Sequence, residues 1–154
     1  MTELSGLNEI AVDSDNRFYS SVTGVLYSKD GKMLVKYPHG KSDTSFTVLD
    51  TVVAIGGNAF KNARNLNTII FGNSLGAIGS TAFIGCNYLS QITFNGAVPP
   101  VLMGMSMFNT NITGFTIFVS ADFYRHTRTD GSIDNGPDAV YFRNEPTNGK
   151  ERGW

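Results

Sequence analysis

Residues 54–71 read AIGGNAFKNARNLNTIIF, and residues 77–94 read AIGSTAFIGCNYLSQITF. Eight of the eighteen positions are identical: Ala-Ile-Gly, then Ala-Phe, then single Leu, Ile and Phe. Ordinary residue frequencies would give roughly one match by chance. The period is 23 residues: Ile55 maps to Ile78, Phe60 to Phe83, Leu66 to Leu89, Ile69 to Ile92 and Phe71 to Phe94. Upstream, Phe46 and Val48 fall in register with Ile69 and Phe71. Downstream, after a short insertion, Met107-Phe108 echoes Ala82-Phe83, while Ile117 and Val119 echo Ile92 and Phe94. At the N-terminus, Leu7–Val12 (LNEIAV) repeats the second half of the unit alone.

A period in the twenties carrying Leu-x-x-Ile-x-Phe predicts a leucine-rich-repeat solenoid. The closing Ile and Phe of each unit are two apart, so both point to one side of a short strand. The predicted fold stacks these short parallel strands in one sheet. Turns, or short 3-10 or helical pieces, cross the other side, and a β-hairpin is inserted. Gly56 and Gly79 suit a turn with positive φ or a close backbone approach. One unit buries too few side chains to offset the ordering of its backbone, so the coils stand only as a stack.

The segments VVAIGGNAFKNARNLNTIIF (52–71) and SLGAIGSTAFIGCNYLSQITF (74–94) resemble BspA-type leucine-rich repeats. Gly85-Cys86 matches that family's Gly-Cys step, and Asn62-Ala63 departs from it. ITFNGAVPPVL and TIFVSADFY resemble its closing segment, so the likeness covers about residues 4–125. The resemblance implies a bacterial or protist surface or secreted protein used in adhesion, contacting host or matrix proteins or glycans.

The expected organisation is one repeat domain over residues 1–125 and a loop-rich tail over 127–154. Within the domain it comprises a half-coil at 4–12, a hairpin insertion at 17–41, repeats at 46–68, 69–91 and 92–119, and a capping helix at 120–126. The hairpin reads from apolar Val25–Tyr27 and Met33–Tyr37 around the turn Ser-Lys-Asp-Gly, and is expected to project from the stack. Because the chain opens inside a repeat, it reads as a fragment or short relative of a longer repeat protein.

Charge is uneven. The net charge is −1 with a pI near 6.1, which draws the chain to neither nucleic acid nor an acidic membrane. Between Phe46 and Val119 only Asp50, Lys61 and Arg64 are charged. No run of eighteen apolar residues is present, and MTELSGLNEI has neither the basic start nor the apolar stretch of a signal peptide. A single cysteine, Cys86, rules out an internal disulfide; in register with Ala63, it reads as small core filler rather than a nucleophile.

Chemistry is sparse. His39 and His126 have no partner at metal-ligand spacing. The run from Asp13 places Phe18 and Gly24 where an EF-hand needs Gly and Glu. The loop from Asp130 reads as a solvated turn cluster, and Asn111-Ile112-Thr113 is a lone glycosylation sequon. No phosphate loop, nucleophile elbow or dinucleotide fingerprint occurs. The expectation is therefore a non-enzymatic, monomeric protein with no cofactor, no metal and no nucleic-acid partner.

Two surfaces offer themselves for binding. Outward positions on the predicted strands form one column of Glu9, Ser45, Thr68, Gln91 and Thr116. Beside it runs a second of Ala11, Thr47, Ile70, Thr93 and Phe118. Thr68, Ile70, Gln91, Thr93, Thr116 and Phe118 are the candidate partner-binding residues; β-branched residues also simply suit strands. The hairpin carries a basic patch of Lys29, Lys32, Lys36 and Lys41, which would meet an acidic partner or else guard an exposed strand edge. The competing role is a structural spacer within a larger surface protein.

Overall fold

The structure, a computed structural model, describes residues 6–98, 100–103, 116–120, 126–127 and 133–134. It is a solenoid of short stacked strands, and no helix forms among the described residues.

The expected ladder is present. Strands β4 (Ser45–Thr47), β6 (Thr68–Phe71), β8 (Gln91–Phe94) and β10 (Thr116–Val119) form a parallel sheet in the order β10-β8-β6-β4. Its register follows the sequence repeat, with Phe46 beside Ile69, Ile69 beside Ile92 and Ile92 beside Ile117. Each strand begins alike: the Thr44 carbonyl accepts from the amides of Asn67 and Thr68, and the Asn67 carbonyl from those of Ser90 and Gln91.

The opposite side carries more than the turns or helical pieces expected there. A second ladder joins β3 (Met33–Lys36), β5 (Ala54–Ile55), β7 (Ala77–Gly79) and β9 (Val101–Met103) in parallel. The Ala-Ile-Gly of each unit is therefore a strand. Gly79 shows why a glycine stands there: a Cβ would lie 2.8 Å from the backbone carbon of Gly56 in the coil below. Neither Gly56 nor Gly79 adopts a positive φ. That conformation falls instead on Asn58 and Thr81, and on Asn62 and Gly85, two pairs in repeat register. Asparagine tolerates the left-handed region better than most residues, so Asn62 replaces glycine in the Gly-Cys step without breaking the turn.

The hairpin forms, but it is built into the stack rather than projecting from it. Strand β1 (Tyr19–Val22) pairs antiparallel with β2 (Val25–Ser28), β2 pairs antiparallel with β3, and β3 opens the parallel ladder through Met33–Ala54 and Leu34–Ile55. Val25, Tyr27 and Leu34 point inward and are buried. Tyr37 lies 23 positions before Phe60 and fills the equivalent slot; its ring stacks on Phe60 at 5.4 Å, and Phe60 stacks on Phe83 at 5.4 Å. Phe71 and Phe94 form a second stack at 5.2 Å. The core is this pair of aromatic columns filled in by Ile55, Leu66, Ile69, Ile78, Leu89 and Ile92.

Leu7–Val12 does not extend the strand ladder. The Ile10 amide donates to the Gly24 carbonyl, the Val12 amide to Ser21 Oγ, and the Leu7 carbonyl accepts from Gly40. The segment lacks the Ile-Gly half of a unit, so no back strand of its own carries it over β4. Glu9 and Ala11 thus leave the outward columns, and β4 is the edge of its sheet among the described residues. The capping helix expected at 120–126 lies outside the described residues apart from Ser120, which follows β10, and His126, which stands in the short strand β11 (His126–Thr127). β11 pairs antiparallel with β12 (Ile133–Asp134). The sequon, Met107-Phe108 and the rest of the tail also lie outside the described residues.

Candidate binding face

The outward side chains of the four-stranded sheet form two straight rows across the strands. One is Ser45, Thr68, Gln91 and Thr116; the other is Thr47, Ile70, Thr93 and Phe118. All six predicted face residues fall within these rows, at the ladder spacing of about 4.8 Å. The central strands hold Thr68, Ile70, Gln91 and Thr93 half-buried, while Thr116 is exposed and Phe118 is 49% exposed. The alternation that buries Ile69, Phe71, Ile92 and Phe94 turns these neighbours outward.

No side chain in either row is ionisable. Their hydrogen-bonding groups are also largely unspent. Among the described residues, the hydroxyls of Ser45, Thr47, Thr93 and Thr116 and the side-chain amide of Gln91 have no intramolecular partner, while the Thr68 hydroxyl reaches only the adjacent Asn67 at 3.3 Å. Some hydroxyls elsewhere are committed: Ser20 donates to the Ser28 carbonyl, Thr51 to the Gly31 carbonyl and Ser120 to the Gly96 carbonyl.

Three of the four lysines are tied to a local acceptor or acid. Lys29 Nζ donates to the Ser14 carbonyl at 2.8 Å, and Lys36 Nζ to the Asn58 carbonyl at 2.9 Å. Lys41 pairs with Asp43 at 2.8 Å, whose carboxylate also accepts from the Tyr37 hydroxyl. Lys32 is exposed beside Asp30, whose carboxyl is held below its ordinary range by the Ser28 hydroxyl and the Lys32 amide. Partial burial, and then the nearby Lys61, push Lys36 below the usual lysine range.

Cys86 is fully buried and its Sγ donates to the Phe60 carbonyl at 3.0 Å. Burial pushes its thiol up to about 12, so no thiolate forms near neutral pH. His39 is half-buried, and no group of three or more His, Cys, Asp or Glu gathers among the described residues. No helix among them is long and apolar enough to cross a membrane.

Sequence reasoning missed one exposed surface, the outer side of the second sheet. Met33, Ala54, Ala77 and Val101 share a row there, with Met103 beside it. Its signal is faint, because two or three residues of strand per coil leave no alternation to read.

Two parallel ladders around stacked aromatic columns define a leucine-rich-repeat solenoid. Residues 39–123, more than half of the chain, match the BspA type leucine rich repeat region in six copies, and the chain belongs to that family. No curated protein matches the sequence. A leucine-rich repeat protein from Eubacterium ventriosum shares the fold, with a TM-score of 0.52 at 21% identity over 75% of this chain and 38% of the other. The pneumococcal vaccine antigen PcpA does so with a TM-score of 0.53 at 20% identity, over 76% of this chain and 34% of the other. The chain thus spans a little over a third of the length of these two proteins.

Proposed function

We propose that this chain is a non-enzymatic binding module of a bacterial surface or secreted repeat protein. It contacts host or matrix proteins or glycans through the outer face of the four-stranded sheet. The observation that carries the reading is the alignment of Thr68, Ile70, Gln91, Thr93, Thr116 and Phe118 into one continuous uncharged face. Such a face costs less to desolvate than a charged one, and it repeats the same contact from coil to coil. Membership of the BspA-type family, together with the fold shared with a vaccine antigen, supports the surface assignment.

The test is attachment of the chain to matrix-coated surfaces. Replacing Thr68, Ile70, Gln91, Thr93, Thr116 and Phe118 together should abolish saturable attachment while far-ultraviolet circular dichroism stays unchanged. Attachment that survives these changes refutes the face. Loss only on neutralising Lys29, Lys32, Lys36 and Lys41, with steep salt dependence, would move the site to the basic turn. No attachment under any condition supports the spacer role.

A further inference from the structure

We infer that the face takes a neutral polysaccharide, laid across the strands along the two rows; this rests on the binding reading above and names its ligand. The first ground is charge. With no ionisable side chain in Ser45, Thr68, Gln91, Thr116, Thr47, Ile70, Thr93 or Phe118, nothing on the face offsets the desolvation of a sulfate, carboxylate or ammonium. Charged glycans and charged protein patches are selected against.

The second ground is the hydrogen-bonding inventory. Hydroxyls in the rows and the Gln91 amide can both donate and accept, and apart from the 3.3 Å Thr68–Asn67 contact they have no intramolecular partner among the described residues. A polymer of hydroxyl-bearing rings offers matching groups at a regular interval, so each further coil adds a similar contact. The third ground is the apolar content. Protein interfaces concentrate Trp, Tyr and Arg at their energetic centres, and neither row contains any of them. Phe118, half exposed at the end of one row, provides an aromatic face for the apolar side of a sugar ring, with Ile70 two strands away.

The experiment is affinity electrophoresis of the 154-residue chain in native gels containing mannan, galactomannan, laminarin, dextran or dextran sulfate, at low and high salt. At least one neutral polymer should retard the chain equally at both salt concentrations, and dextran sulfate should not exceed its uncharged parent. Thr47→Val, Thr93→Val and Thr116→Val together keep the β-branched shape and remove three hydroxyls. This variant should weaken binding by about tenfold or more. Phe118→Ala should weaken it further, and Ser74→Ala, which lies outside both rows, should leave it unchanged. If no neutral polymer retards the chain, or only dextran sulfate does, the inference is overturned. Attachment to protein-coated surfaces that remains sensitive to the six-residue face variant would then leave the broader reading standing, with a protein as the ligand. Retardation indifferent to every face variant overturns both.

Discussion

Cys86 shows how a side chain of reactive type is made inert. It lies in the core where the preceding coil has Ala63, with its proton committed to the Phe60 carbonyl. Its folded pKa is raised to about 12 from an ordinary value of 9.0, so the unfolded chain loses this proton first as pH rises. The associated stability is full below about pH 9 and declines as pH climbs toward 12. Burial raises Tyr27 likewise, from 10.0 to about 12, and the two effects add. Thermal melting should therefore fall above about pH 9, and Cys86→Ala should show a shallower fall. Native protein should resist a thiol-alkylating reagent at neutral pH and react only on unfolding; rapid native labelling would contradict the burial.

At the scale of the element, coil spacing depends on what each turn leaves out. Gly79 has an ordinary backbone conformation, so an alanine there would normally stabilise by reducing unfolded-state freedom. Here the added methyl meets Gly56 and Gly57 backbone in the adjacent coil, which cannot swing aside as a side chain would. Gly79→Ala should lower stability by about 1–3 kcal/mol, read as a fall in urea midpoint at unchanged slope. Strand β3 belongs to the same argument. Its Leu34 pairs with Ile55 at a spacing of 21 residues, while Tyr37 and Phe60 keep 23. The bulge between Leu26 and Tyr27 lies where β2 meets β3, as the hairpin passes into a coil.

For the whole molecule, the N-terminal end of the stack carries a cover of its own. There the antiparallel strands β1 and β2 replace a further parallel coil, and the buried Val25 and Tyr27 extend the core past β3, with Tyr27 beside Leu34. Repeat arrays unfold from ends that lack such closure. Deleting residues 1–28 should strip this cover and lower the thermal midpoint of the entire stack as a single transition, followed by circular dichroism. An unchanged midpoint would show that the meander stands apart from the cooperative unit.

The repeat at 23 residues, the inward Ile69, Phe71, Ile92 and Phe94, and the outward rows from Ser45 to Phe118 were all legible in the sequence. Strand alternation and periodic stacking are local rules that identical segments obey identically. The back ladder was hidden because Ala54-Ile55 is too short to show a period. Tyr37 was hidden because a tyrosine before a proline, inside a segment that reads as a hairpin, gives no sign of filling a phenylalanine's slot. Leu7–Val12 matched the pattern and still left the ladder, since pairing depends on which backbone donors and acceptors lie within reach once the coils have closed. The sequence by itself determined what each unit buries and what it shows to solvent. Only the tertiary structure decided which segments became coils and which became covers, because those choices rest on contacts between residues far apart in the chain.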